Sequence, residues 1–133
     1  MSVLTGSLKS GNVASLSADD GNFYVVSTVN SGAHWAASFT GLPSSVSTLT
    51  VTYKGHAGTP CTQNFNLWNW YYNAWVSIAH TTAGTSDTTL SLAAPGQLSD
   101  YMFLGELRVS VQCFRTDAAS FDLSSNLVKI QFS

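Results

Sequence analysis

The sequence predicts an all-β protein: a two-sheet antiparallel β-sandwich, jelly-roll-like, with about eight or nine strands. Serine, threonine and glycine supply 20, 14 and 10 of the 133 residues, and 16 others are aromatic. Hydroxyl-bearing, small and aromatic residues favour strands and turns over helices when Lys, Glu and Ala are scarce. Helical periodicity is almost absent, because apolar residues alternate within short segments that turn sequences separate.

Turn chemistry divides the chain into its predicted strands. Stretches with Gly, Pro, Asn, Asp or Ser interrupt the alternation at 19–22, 41–45, 56–60 and 94–96. The number and spacing of the segments favour a sandwich over a barrel. The predicted strands are Phe23–Asn30, Ala33–Thr40, Thr48–Gly55, Cys61–Trp70, Trp75–His80, Thr88–Ala93, Glu106–Arg115 and Leu127–Phe132, with a further short one at Val13–Ser17.

Length and charge limit the classes of function. A chain of 133 residues and 14.2 kDa predicts one domain over residues 1–133. Only 9% of the residues are charged and the formal net charge is -2, which argues against a nucleic-acid partner. No run of 18 apolar residues could cross a membrane. The first residues lack the regions of a signal peptide, so any export signal has been removed or belonged to a longer parent.

Cys61 and Cys113 each lie in a strand-like segment. One such pair suits a structural disulfide and an oxidising compartment, and the alternative is two buried free thiols. Successive side chains of a strand point to opposite faces. In 61–70 and 106–115 this puts both cysteines on the side of Phe65, Leu67 and Val109, the core side, which favours the disulfide.

The opposite face of these two segments carries polar and aromatic side chains. If the strands are antiparallel neighbours with Cys61 opposite Cys113, Asn66 faces Arg108 and Trp68 faces Glu106. We therefore expect the scarce charges of the chain to lie beside an indole on one sheet face.

Several segments, in their order along most of the chain, resemble a known type of module. They are LSADDGNFY at 16–24, TVTYKG at 50–55, CTQNFNLWNW at 61–70, AWV at 74–76, APGQLSDY at 94–101 and ELRVSVQC at 106–113. Together they are similar to β-sandwich modules of the carbohydrate-binding type that are appended to secreted bacterial glycoside hydrolases and other polysaccharide-active proteins.

This resemblance implies a non-catalytic, extracellular module with a jelly-roll-like fold and a disulfide between Cys61 and Cys113. The chain departs from the pattern between Tyr101 and Glu106, where such modules carry a longer loop and this sequence has only MFLG. A binding site built on that loop would be altered or missing. No ligand residue is carried over, because the resemblance brings no established binding motif.

Sugar recognition needs an apolar platform for a pyranose ring and planar polar groups for its hydroxyls. The predicted sheet face offers both. We expect stacking on the indoles and hydrogen bonds from the polar side chains, so the predicted carbohydrate-binding residues are Trp68, Asn66, Arg108, Glu106, Gln112, Asn64 and Trp70.

Other arrangements of the same residues stay open. The two indoles could pack beneath a covering loop, with Glu106 and Arg108 forming an ordinary cross-strand pair. Trp75 is predicted to pin the hairpin and to belong to the core. A second candidate site is carried by loops, where exposed aromatic side chains commonly bind ligands; its candidates are Trp35, Tyr71 and Tyr72.

Asp19, Asp20 and Asp122 are candidate ligands of a structural calcium ion, since carboxylates near the start of a jelly-roll module suit that ion. The alternative is that 19–22 is a turn capped by its own side chains. No cofactor is required by the predicted function.

Enzyme chemistry is not predicted. Glycoside hydrolysis needs two carboxylates about 5 to 9.5 Å apart, one with a raised pKa, and Glu106 is the one glutamate of the chain. No GxSxG, HExxH, P-loop or GxGxxG motif occurs. The three histidines have no metal-ligand spacing.

The sequence therefore predicts a secreted bacterial β-sandwich that binds polysaccharide or oligosaccharide and targets a covalently attached carbohydrate-active enzyme to its substrate. We expect a monomer with a glycan ligand and with neither nucleic-acid nor membrane partners. The alternatives are a structural or adhesion domain without a sugar site, and a stand-alone lectin.

Overall fold

The structure, a computed structural model, describes residues 2–43, 45–117 and 120–133 and confirms the predicted antiparallel β-sandwich. Within these ranges the chain forms ten strands, slightly more than predicted, and two 3-10 helices at Val13–Leu16 and Leu98–Tyr101. The strands are β1 (Ser2–Thr5), β2 (Ser7–Ser10), β3 (Tyr24–Ser27), β4 (Gly32–Phe39), β5 (Leu49–Ala57), β6 (Cys61–Asn69), β7 (Ala74–Ala83), β8 (Thr88–Ala93), β9 (Leu107–Phe114) and β10 (Asp122–Phe132).

The strands form two five-stranded sheets. Sheet A has the order β1-β4-β9-β6-β7 and sheet B the order β2-β3-β10-β5-β8, with antiparallel neighbours throughout. All connections except β2–β3 and β6–β7 pass from one sheet to the other. At the first crossing Gly6 has a φ of 97°, and a Cβ there would lie 2.3 Å from the carbonyl oxygen of Ser27. The crossing therefore requires glycine.

Alternation along β4 places Trp35 in the core between the sheets. Its side chain is fully buried, and its ring contacts those of Tyr24 and Tyr53 at centroid distances of 5.7 and 6.5 Å. Trp35 Nε1 donates to Ser125 Oγ at 3.1 Å, and the Tyr53 hydroxyl lies 2.9 Å from the same oxygen. The prediction of Trp35 as a loop-borne binding residue is wrong, because it occupies an inward position of a central strand.

The predicted disulfide between Cys61 and Cys113 is confirmed, and it joins β6 to β9 within sheet A. The predicted register of these neighbouring strands is wrong by two residues. Cys113 lies opposite Gln63, and Asn66 lies opposite Ser110 instead of Arg108. The disulfide links diagonal positions, with a Cα–Cα distance of 5.7 Å, and so does not require the two cysteines to face each other.

The N-terminal part of the chain differs from the prediction. Val13–Leu16 is a 3-10 helix and not a strand, because the side chain of Asn12 accepts a hydrogen bond from the amide of Ala14 and starts the turn. Strands β1 and β2 were not predicted. Strand β10 begins at Asp122, five residues before the predicted start at Leu127.

Basic side chains are distributed unequally between the sheets. The three lysines, Lys9, Lys54 and Lys129, lie on strands of sheet B. Lys9 pairs with Asp122 at 2.6 Å and Lys54 with Asp19 at 2.8 Å. In the described part of the chain, no helix has the length and apolar character needed to cross a bilayer.

Candidate functional site

The outer face of sheet A carries the candidate site. Alternation along β6 directs Phe65 and Leu67 into the core and leaves Asn64 and Trp68 on the opposite face, as predicted. Strand β9 lies beside β6 and contributes Arg108, Ser110 and Gln112 to that face. The adjacent hairpin strand β7 adds Trp75, which lies directly opposite Trp68.

A cleft of about 240 Å³ opens at one end of this face. Its lining comes from four neighbouring elements of the sheet, β1, β4, β9 and the β6–β7 hairpin. We call it the sheet-face cleft; the lining side chains that carry its chemistry are Leu4, Ser38, Trp68, Trp75 and Arg108. Two indoles and a guanidinium thus share one open depression with a hydroxyl and a leucine.

The two tryptophans of the cleft are arranged edge to face. The rings of Trp68 and Trp75 have centroids 5.2 Å apart and an interplanar angle of 79°. The Trp75 ring also approaches that of His34, at 6.1 Å. His34 lies on β4, and the strands β9 and β6 separate β4 from β7. The side chain of Trp75 therefore extends from β7 across the outer face of sheet A towards β4. Trp75 is half-buried on the outer face, so its prediction as a core residue is wrong.

Two polar atoms beside the cleft have no protein partner. Trp68 Nε1 and His34 Nε2 are both shielded from solvent, and no described residue forms a hydrogen bond with either. Shielded polar atoms normally have partners, so these two atoms are among the exceptions in the described part of the chain.

Asn66 lies beneath the surface of this face. Its side chain is 6% exposed, and Nδ2 donates to Ser110 Oγ at 2.9 Å. A β-bulge at this point of β7 leaves Ile78 without a partner on β6, so Ser77 lies opposite Asn66. Asn66 therefore lies in the floor of the outer face, whereas Trp68 and Arg108 line the sheet-face cleft.

Arg108 is the cation of the cleft. Its Nε donates to Glu106 Oε2 at 2.5 Å, so the two residues form an i, i+2 pair. The predicted pairing of Glu106 with Trp68 across the strands is wrong, because Leu67 lies opposite Val109. The guanidinium lies over the ring of Trp70, 4.5 Å from its centroid. Trp70 follows the last residue of β6 and contacts Phe103 at 5.2 Å. Trp70 and Glu106 are not part of the described lining of the cleft.

The rest of the face, away from the cleft, is polar. Asn64 lies opposite Gln112 on β9 and opposite His80 on β7. Asn64 Oδ1 is 2.5 Å from His80 Nδ1. The sequence-predicted residues Asn64 and Gln112 are therefore neighbours on the predicted face, displaced along the strands from Trp68.

Two of the three residues predicted for the loop site are exposed on a loop, and the third, Trp35, is buried. Tyr71 and Tyr72, at the tip of the β6–β7 hairpin, are 76% and 70% exposed and pack edge to face at 5.0 Å. The backbone amide of Tyr72 donates to Asn69 Oδ1, which orders the turn. The tip is an exposed aromatic pair, separate from buried Trp35.

The three predicted calcium ligands are not brought together. Asp19 bonds Lys54 and Asn126, whereas Asp122 bonds Lys9 and Ser27. A backbone hydrogen bond from Asn22 lowers the pKa of Asp20, as the alternative of a self-capped turn predicts. Among the described residues, no group of three or more His, Cys, Asp or Glu side chains could hold a metal ion.

Lowering the pH is expected to destabilise the fold through His34. Burial lowers its pKa below the ordinary 6.5, so the unfolded chain takes up a proton at higher pH than the folded one. The free energy of unfolding should therefore fall as the pH drops from about 6.5 towards the lowered value. Urea unfolding across this range should show the slope in the wild type and less of it in His34→Gln. An equal slope in His34→Gln would contradict the assignment, and His80→Gln is the control.

Sequence reasoning missed three parts of the cleft. Leu4 lies on β1, where no alternation indicated a strand, and Ser38 belongs to β4, where Trp35 had been the predicted site residue. Trp75 could have been found, because Val76 next to it packs against the core and consecutive side chains of a strand alternate.

The architecture of two five-stranded antiparallel sheets is a β-sandwich fold that solved carbohydrate-binding modules share. A solved structure described as "CBM4 structure and function" superposes with a TM-score of 0.54 over 87% of this chain and 87% of its own, at 12% identity. The N-terminal cellulose-binding domain of β-1,4-glucanase C from Cellulomonas fimi superposes with a TM-score of 0.51, covering 84% of this chain and 78% of its own, at 16% identity. At these identities the similarity concerns the fold.

The chain matches no protein-family model, and no curated protein resembles it in sequence.

Proposed function

We propose that this protein is a non-catalytic module that binds polysaccharide or oligosaccharide in the sheet-face cleft. The observation that carries the proposal is the joint presence of Trp68, Trp75 and Arg108 in one open depression on a sheet face. The fold likeness to a domain described as cellulose-binding supports the same class of ligand.

The chemistry of the cleft suits sugar rings. A pyranose presents an apolar CH face, for which an indole is a rigid platform of large area. Its hydroxyls need planar donors and acceptors, and the guanidinium of Arg108 and the hydroxyl of Ser38 are within the same lining. Asn64 and Gln112 extend the polar surface along the strands, so a glycan longer than the cleft would find further partners there.

The cleft is poorly suited to glycoside hydrolysis. None of its described lining residues is a carboxylate, and hydrolysis needs two of them on either side of the bond. The nearby Glu106 is already engaged by Arg108. Binding alone would keep an attached enzyme close to its polymer by raising the effective concentration. We propose that the module acts in this way as a secreted bacterial monomer joined to a catalytic domain.

Replacing Trp68 or Trp75 by alanine is expected to weaken glycan binding by at least about 30-fold, the effect of removing a central aromatic anchor. Affinity electrophoresis and titration calorimetry would use hydroxyethyl cellulose, arabinoxylan and β-1,4-galactan as soluble probes. Thermal unfolding would verify that each variant remains folded.

Tyr71→Ala and Tyr72→Ala are the matched controls, since they remove exposed aromatic rings from the hairpin tip. The proposal requires that they bind like the wild type. If they lose binding while Trp68→Ala and Trp75→Ala retain it, the site lies at the tip. Absence of binding to any glycan in an array would favour a structural or adhesion domain.

A further inference from the structure

Arg108 is held from two sides by residues outside the cleft. One face of its guanidinium lies over Trp70 at 4.5 Å, and its Nε is bonded to Glu106. Trp70 in turn packs against Phe103 at 5.2 Å. An arginine side chain free in solvent samples many rotamers, so these contacts remove much of the freedom that it would otherwise lose on binding a ligand.

The support behind Arg108 comes from the shortened turn before β9. Phe103 and Glu106 exchange backbone hydrogen bonds of 3.1 and 2.9 Å across Leu104 and Gly105. Both central residues have positive φ, 52° and 75°, as a tight hairpin turn requires. This turn thus connects Phe103, which packs against Trp70, to Glu106, which accepts the hydrogen bond from Arg108.

The hydrogen bond to Glu106 uses the Nε edge of the Arg108 guanidinium and leaves the edge with the two Nη groups for a ligand. Within the described chain, no hydrogen bond joins either Nη atom of Arg108 to another residue, although Arg108 lines the cleft. The two Nη groups can donate in parallel to two acceptors, such as neighbouring sugar hydroxyls. The Nε edge, which Glu106 occupies, is not available to them.

Glu106 also offsets the charge that Arg108 brings. A uronate would need strong attraction to repay the loss of its hydration, and the carboxylate of Glu106 opposes that attraction. A neutral hydroxyl carries no such desolvation cost. The described lining contains no second cation to compensate.

We infer that Trp70 and Glu106 are positioning residues that hold Arg108 as a charge-compensated hydrogen-bond donor, so that the sheet-face cleft selects neutral glycans over uronic-acid polymers. This inference rests on the proposed function. Trp70 and Glu106 then act by contacting Arg108. They do not make the direct contacts with sugar that the sequence predicted.

The charge test uses Glu106→Gln, which keeps the shape of the side chain and removes its charge. Affinity for polygalacturonate should rise about fivefold or more relative to arabinoxylan at low salt, and the gain should vanish at high salt because ions screen the guanidinium. Asp20→Asn is the matched control, because it makes the same change in net charge on an exposed loop. An unchanged ratio in Glu106→Gln, or an equal rise in Asp20→Asn, would overturn the selectivity.

The positioning test uses Trp70→Leu and Trp70→Phe. Loss of the aromatic face should weaken arabinoxylan binding about fivefold in Trp70→Leu, whereas Trp70→Phe should retain most of the affinity. In the Arg108→Gln background, which has no cation over the ring, the change at Trp70 should have little further effect, because the two residues act through one contact. Additive losses would show that Trp70 does not act through Arg108.

The two proposals can fail separately. If Trp68→Ala and Trp75→Ala bind as the wild type does, the sheet-face cleft is not the glycan site. If those variants lose binding while the Trp70 and Glu106 variants match the wild type on both classes of probe, the positioning inference alone is wrong.

Discussion

Replacing Trp35 by alanine is expected to lower the free energy of unfolding by about 3 to 5 kcal/mol, the range for truncating a buried aromatic side chain. Trp35 is fully buried between the sheets and contacts the rings of Tyr24 and Tyr53. Its removal would leave a cavity and would also free the hydroxyl of Ser125 from the indole N–H. The cavity and the lost hydrogen bond both lower the free energy of unfolding.

Urea unfolding monitored by circular dichroism would measure this loss. Trp35→Phe retains a ring but not the N–H donor, so it should cost less than Trp35→Ala. Trp75→Ala is the surface control, since Trp75 is only half-buried on the outer face of sheet A. A loss in Trp35→Ala no larger than that in Trp75→Ala would contradict the position of Trp35 in the core.

Removing the disulfide is expected to cost about 4 kcal/mol, the chain-entropy value for a crosslink that closes a loop of this length. Cys61 and Cys113 are separated by 52 residues and join two neighbouring strands of sheet A. The double variant Cys61→Ala/Cys113→Ala should therefore unfold at much lower urea concentration than the oxidised wild type.

Reductant provides the control for this comparison. Dithiothreitol should bring the wild type close to the double variant and should leave the double variant unchanged. If the oxidised wild type and the double variant unfold at the same urea concentration, the crosslink does not restrict the unfolded chain as we expect. Glycan titration of the double variant would then show whether the cleft, which uses β6 and β9, depends on the crosslink.

Side-chain alternation explains why the central strands could be predicted. Apolar and polar residues alternate from Leu107 to Cys113 in β9 and from Asn64 to Leu67 in β6, and only one assignment of faces buries Phe65 and Val109 together. A shift by one residue would expose that apolar set, so the burial of one face determines which side chains point outward. The placement of Trp68 and Arg108 on one face followed from this constraint.

Register between strands was not determined by the same constraint. A shift by two residues preserves the faces, so alternation cannot distinguish Asn66 opposite Arg108 from Asn66 opposite Ser110. The structure has the second register, and the disulfide then links diagonal positions of the two strands. The consequence is functional, because Asn66 bonds Ser110 beneath the surface while Arg108 turns to Glu106 and Trp70.

The remaining errors arise where local sequence carries little information. Strands β1 and β2 are four residues each and mostly exposed, so pairing with β4 and β3 defines them more than their own pattern does. The error at Trp75 is of a different kind, because alternation with Val76, which packs against the core, assigns Trp75 to the outer face. The cleft needs contributions from four elements distant in sequence, which no local pattern specifies.

The unequal distribution of basic residues has a practical consequence. All three lysines lie on β2, β5 and β10 of sheet B, whereas the cleft opens on sheet A. Reagents directed at lysine side chains would therefore attach this protein to a resin or sensor through the sheet that faces away from the cleft. Coupling through any of these three side chains would leave the cleft, on the opposite sheet, open to solution.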